Sequence, residues 1–154
     1  MIRLANINDA HNVYTLIQDT ILAIYGEFYS ADEMKFFLDL HNEAAIEKDI
    51  KEEKVYVLTD GKCILATCTL EGNHILRLFV DKAHLRKGYG REMLDYVESR
   101  AFEEYEECVL DTSTPAKEFY TAMGYVAIGE EKIEIKSGVL MKYEIMKKNN
   151  RSDI

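Results

Sequence analysis

Apolar positions along this chain follow two rhythms, and the switches between them outline a fold. Blocks of branched and aromatic residues of strand length occupy 2–5, 55–59, 63–70, 74–80, 108–112, 125–135 and 139–146. Helical spacing takes over in 9–23, where Val13, Leu16, Ile17, Thr20 and Ile21 form a stripe, and in 91–104, through Met93, Leu94, Val97, Ala101 and Phe102. A third helical stretch, 31–53, carries Met34, Phe37, Leu38, Leu40, Ala44, Ala45 and Ile50 on its apolar side, and its length predicts an interruption near His41-Asn42. A short fourth helix is expected before Gly124: Pro115 suits its first position, Ser113 or Thr114 its cap, and Gly124 its stop.

Asp60-Gly61, Gly72-Asn73 and Ser137-Gly138 each separate two strand blocks and suit hairpin turns. Strands 74–80 and 108–112, joined through the helix 91–104, make a βαβ unit with parallel strands and an expected right-handed crossover. The predicted class is α/β (α+β): a mixed, mostly antiparallel sheet of about six to seven strands, flanked by helices, with one central parallel pair. Residues 1–148 are read as one domain and 149–154 as a polar tail expected to fray.

Composition narrows the function. With 154 residues and 47% apolar content, one sizeable core can be built. Twenty-eight acids against 19 bases give a formal charge of −9, which disfavours nucleic acid as a partner and mildly favours a cationic one. Cys63, Cys68 and Cys108 are odd in number, fall in strand-like blocks and lack zinc-site spacing, so they are read as buried small hydrophobes and no metal is expected. Glu103, Glu104, Glu106 and Glu107 read as a solvated helix end. No signal peptide and no apolar run of membrane-spanning length is apparent, so a cytoplasmic protein is expected.

The chemistry concentrates in HILRLFVDKAHLRKGYG, from His74 to Gly90. A strand runs into a glycine-bearing turn and a helix begins at once. Gly88 and Gly90 let a phosphate approach backbone N–H groups at a helix start, where the macrodipole favours an anion, and Arg86, Lys87 and Arg91 add positive charge. The pattern alone also fits a plain helix-start loop.

This stretch resembles motif A of the GCN5-related N-acetyltransferases, the GNAT family: Arg or Gln, two residues, Gly, one residue, then Gly or Ala. Leu85-Arg86-Lys87-Gly88-Tyr89-Gly90 occupies it, with Leu85 replacing the family's polar first residue. A second stretch, CVLDTSTPAKEFYTAMGY from Cys108 to Tyr125, resembles the family's strand, polar turn and short helix ending in Tyr, Gly and an aromatic, with Ser113 where Asn is frequent. The likeness extends loosely over nearly the whole chain.

The resemblance implies an N-acetyltransferase that uses acetyl-CoA as co-substrate and passes acetyl to a primary amine by direct attack in a ternary complex. The pyrophosphate would lie on Arg86, Lys87, Gly88, Tyr89, Gly90 and Arg91, and the pantetheine along Leu78, Phe79 and Val80, with the Leu78 N–H near the acetyl carbonyl. Ser113 would contact the cofactor or cap the helix. Tyr120 matches the family's general acid, and a phenol, with a pKa of about 10, keeps its proton at neutral pH. For the base, His74 stands where some members place a carboxylate, about 13 Å of strand from Leu78 and so able to act only through water, and Glu71 is the other candidate. The acceptor is a small-molecule amine or a protein amine, shaped by the residues from 25 to 50. A homodimer through exposed strand edges is compatible with the sequence. The rival readings are a CoA-binding sensor or interaction module without turnover, and an ATP-binding regulatory domain, which the missing Lys-Ser pair after the glycines disfavours.

Overall fold

The structure, a computed structural model, describes residues 1–150. Seven strands form one sheet: β1 (Ile2–Leu4), β2 (Val55–Thr59), β3 (Ile64–Glu71), β4 (His74–Val80), β5 (Glu107–Thr112), β6 (Val126–Lys136) and β7 (Val139–Asn149). Their order is β1-β2-β3-β4-β5-β7-β6, and every neighbouring pair is antiparallel except β4–β5. The mixed sheet with one central parallel pair expected from the hydrophobic blocks is thus the observed one. Among the described residues five α-helices accompany it: α1 (Ala10–Ile24), α2 (Ala31–Leu40), α3 (Glu43–Lys51), α4 (Tyr89–Ala101) and α5 (Lys117–Ala122).

Two apolar clusters hold the layers together. In one, Met93, Leu94 and Val97 of α4 and Tyr120 of α5 pack with Cys68, Ile75, Cys108 and Leu110. In the other, Val13, Ile17 and Ile21 of α1 and Ile46 and Ile50 of α3 pack with Val55, Val57 and Phe79. Beneath α4, Glu98 accepts from the Tyr125 hydroxyl at 2.8 Å and from Lys148 Nζ at 2.9 Å, which ties α4 to the exit of α5 and to β7. A buried carboxylate is tolerable there because both its oxygens are paired.

The expected interruption of the long helical stretch falls at His41, where ψ turns to +50°. Asn42 then caps α3 by accepting from the Ala45 N–H at 2.9 Å. The break resets the helical phase. A stripe carried on from Met34 takes in Ala44, which is exposed, and passes over Ile46, which is 1% exposed.

Two other expectations change. Cys68 and Cys108 are buried, but Cys63 is exposed. It lies before β3, in a loop where Asp60 Oδ1 accepts from the N–H groups of both Lys62 and Cys63 at 2.8 Å. Of the expected tail, Asn149 is the last residue of β7 and the Asn150 N–H donates to Glu106 O at 2.8 Å; residues 151–154 lie outside the described part. Among the described residues no helix is long and apolar enough to cross a membrane.

One discontinuity positions the site. β4 and β5 are joined at a single register position, His74 opposite Val109, and the strands part beyond it. Across the gap stand Leu78, Phe79 and Val80 on one side and Asp111, Thr112 and Ser113 on the other. On its other flank β4 bulges against β3: Thr67 pairs with Phe79 and Thr69 with Leu76, so β4 spends three residues where β3 spends two. Arg77 absorbs the extra residue at φ +49°, a left-handed conformation that costs a non-glycine residue about 1–2 kcal/mol.

Candidate active site

Two cavities open into the gap between β4 and β5. The first, of about 400 Å³, is roofed by Tyr29, Phe36, Phe37, Leu40 and His41 and floored by Ile133, Met141 and Tyr143. The second, of about 450 Å³, runs from Thr20 and Ile24 of α1 past Leu85, Arg86, Gly88, Gly90 and Arg91 to Phe119. Tyr25, Leu78, Phe79, Ser113, Ala116 and Tyr120 line both, so the cavities share one throat.

The second cavity ends on the glycine turn. Arg86 at φ +62° and Gly88 at φ +87° bend the chain into α4, whose start carries no side-chain cap. The N–H groups of its first turn are therefore open, in a nest-like concavity suited to an anion. At Gly90 a methyl group would make ordinary contact with Val80 Cγ2 at 3.4 Å and with the Phe119 ring at 3.5 Å, two walls of the same cavity. Arg86, Lys87 and Arg91 are exposed and make no ion pair among the described residues. Arg86 and Arg91 line the cavity and Lys87 does not, while Glu92 adds one acid to the same turn. These features fit a diphosphate attached to a narrow, partly apolar chain.

Tyr120 stands in the throat. Its ring packs edge-on against Phe119 at 5.3 Å and Tyr125 at 5.6 Å. Its hydroxyl makes no hydrogen bond among the described residues, yet it is not a fully buried orphan, so it opens into the cavity. Burial drives this phenol well above its ordinary pKa, with Cys68 and Tyr25 reinforcing, and it stays neutral at any physiological pH. Ser113 does not cap the following helix. It accepts from the Tyr25 hydroxyl at 3.3 Å, and burial pushes that phenol's pKa up to about 12. The Thr114 N–H donates to the Tyr29 hydroxyl at 2.7 Å, and an aromatic cluster of Tyr25, Tyr29 and Phe37 results, with centroids 4.7–5.5 Å apart.

The two candidate bases stand elsewhere. His74 and Glu71 lie at the closed end of the gap and line neither cavity. Glu71 is exposed and paired with Lys54 at 2.8 Å, and that hydrogen bond lowers its pKa. The carboxylate among the described residues of the first cavity is Asp111, near the end of β5. Asp111 is exposed at the cavity wall, and partial desolvation of its carboxylate raises its pKa; His74 opposes this and Glu131 raises it further. Asp111 pairs with Ile145, and Glu131 with Tyr143, so these four share one sheet face. Sequence spacing alone gives no sign of this grouping.

Thr112 Oγ1 is the buried side-chain polar atom left without a partner among the described residues. An orphaned hydroxyl costs about 1–3 kcal/mol. Thr112→Val, which keeps the shape, is expected to stabilise the protein by about 1 kcal/mol, read as a higher urea midpoint at an unchanged slope.

A family model described as an acetyltransferase (GNAT) domain matches residues 26–145. No curated protein matches the chain significantly. Among solved structures, a GCN5-related N-acetyltransferase from Rhodopseudomonas palustris is 21% identical, with 97% of this chain and 95% of that one covered and a TM-score of 0.89. The PaiA N-acetyltransferase of Thermoplasma acidophilum, in complex with coenzyme A, is 16% identical over 97% of this chain and 98% of that one, at a TM-score of 0.76. The apo form of YjaB from Escherichia coli is 18% identical over 96% and 95%, at 0.74. At these identities the likeness is one of fold.

Proposed function

This chain belongs to the GNAT acetyltransferase family, and from that membership we propose that it moves the acetyl group of acetyl-CoA to a primary amine by direct attack, both substrates being bound at once. The observation that carries the reading is the shared throat. A cavity ending on an anion-ready helix start and a second cavity bearing a carboxylate meet at one uncommitted phenol.

Acetyl-CoA supplies an activated thioester. The open N–H groups at the start of α4, with Arg86 and Arg91, would hold its diphosphate, and the parted edge of β4 at Leu78–Val80 would face its amide-bearing arm. Asp111 would receive the amine. An alkylammonium costs about 4.6 kcal/mol to deprotonate at pH 7, and a carboxylate beside it would hold the amine in place and relay its proton toward solvent. Tyr120 would place a proton where the thiolate departs. We assign the base to Asp111 in place of His74 or Glu71.

The test is release of free thiol from acetyl-CoA with a panel of primary amines, alongside calorimetric binding of CoA. Amine-dependent release is expected. CoA binding without release would mark a sensor, and neither would remove the reading altogether. For the turn, Gly88→Ala is the sharpest probe, because its Cβ meets nothing within 4 Å and only φ +87° is strained. A left-handed alanine costs about 1 kcal/mol, so the variant should fold and bind CoA about five- to tenfold more weakly by calorimetry.

A further inference from the structure

Arg77, the bulge residue of β4, is turned toward the junction of α2 and α3. Its Nη1 donates to the Asp49 carboxylate and its Nε donates to His41 Nδ1 at 3.0 Å. A guanidinium only donates, so His41 Nδ1 must be the bare nitrogen and the ring proton must sit on Nε2. Burial, aided by the Arg77 charge, lowers the imidazole pKa to about 3, and the ring is neutral throughout the physiological range. The backbone is held as well: Gln18 Nε2 donates to His41 O at 2.9 Å and to Leu38 O at 3.0 Å. The ring stands edge-on to Phe79 at 5.5 Å.

Only one ring nitrogen is thereby left uncommitted. His41 lines the first cavity, and its Nε2 has no partner among the described residues, yet it is not among the fully buried orphans. The other charges lining that cavity are Asp111, Lys142 and Arg77 itself, whose charge Asp49 offsets.

We propose that His41 Nε2–H is a fixed hydrogen-bond donor that selects the acceptor, and that Arg77 and Asp49 are the positioning residues that fix it. This rests on the acetyltransferase reading and narrows its substrate class. A neutral donor rewards an oxygen acceptor and offers nothing to a second ammonium group. The acceptor is therefore an amine that also carries a carbonyl, carboxylate or hydroxyl oxygen, as in an amino acid derivative, with an apolar portion against Phe36, Phe37 and Leu40. A polyamine does not meet these requirements.

The experiment compares kcat/KM for phenylalaninamide with that for 2-phenylethylamine, which has the same ring and amine but no carbonyl. Taking the ratio in each variant cancels the difference in amine basicity. The wild-type preference for the amide should drop at least tenfold in His41→Phe and recover partly in His41→Gln, whose amide N–H can replace Nε2–H, and spermidine should be a poor acceptor. An unchanged preference in His41→Phe overturns the proposal while leaving acetyl transfer intact. Absence of turnover with every amine would instead strike the acetyltransferase reading, so a readout without activity is paired with it. Histidine side-chain 1H–15N spectra should show His41 as the Nε2–H tautomer with no titration from pH 5 to 8, and Arg77→Met should release that constraint. An Nδ1–H tautomer or a titration near neutrality in the wild type overturns the proposal on its own.

Discussion

Tyr120→Phe should lower kcat by about 10²–10³-fold while leaving CoA affinity within about twofold and thermal stability unchanged. The separation of these effects follows from the geometry. Phenylalanine keeps the edge-on contacts with Phe119 and Tyr125, and the lost hydroxyl has no partner among the described residues, so folding loses little. The size of the effect follows from the proton inventory. A phenol is ordinarily a weaker acid than a thiol by about 1.5 pKa units, and transfer to a free thiolate in water would run uphill by about 2 kcal/mol. Burial raises the Tyr120 pKa further, but an apolar throat raises that of a departing thiolate too, as the upward shifts of the buried Cys68 and Cys108 thiols illustrate. Tyr120 is thus best placed to donate a hydrogen bond to sulfur as charge develops, which is the kind of contact whose removal affects turnover more than binding. Steady-state kinetics with calorimetric CoA titration check this, and an unchanged kcat would remove Tyr120 from the chemistry.

The second large effect is expected at Asp111. Asp111→Asn should reduce kcat/KM for the amine by about 10²-fold and remove the enzyme's contribution to the acid limb of the pH profile, leaving that of the amine itself. The sign is fixed by the direction of its shift. The carboxylate is the active form, and its folded-state pKa lies above the ordinary aspartate value, so wild-type activity is lost as pH falls through that raised pKa. Folding runs the other way. The folded state holds the Asp111 proton more tightly than the unfolded chain, so stability declines as pH rises from the ordinary to the raised pKa, and asparagine relieves this. A variant with a melting temperature at neutral pH equal to or above wild type, and with crippled kcat/KM, is the expected pair. Full activity with an unchanged pH profile would exclude Asp111 as the base.

Residues that act through local sequence were legible before the structure. The turn from Leu85 to Gly90 is contiguous, its glycines declare their backbone roles, and α4 follows in register. Tyr120 and Gly124 belong to one short helix with its own stop. The first cavity had no such signature, because His41, Arg77, Asp111 and Tyr143 come from four elements brought together only by the sheet. The bulge was invisible as well, since HILRLFV reads as an uninterrupted strand and one extra residue leaves no mark on its apolar content. The uninterrupted spacing points to His74 and Glu71 as candidate bases. Both lie where β4 and β5 are zipped together, while the cavities lie where the strands have parted. Cys63 looked like part of a strand because nothing in its own block reveals that Asp60 gathers its N–H into a turn.

A sheet joined at its centre by a single rung has two inner rims in addition to its outer ones. An outer rim invites another polypeptide, whereas these inner rims open into the two cavities, with Leu78 and Phe79 on one side and Ser113 on the other. A slender molecule with amide groups of its own would find backbone partners there in place of the missing rungs. Whatever occupies the gap therefore completes the architecture as it binds, and by linkage the folded state gains in proportion to how tightly the guest is held.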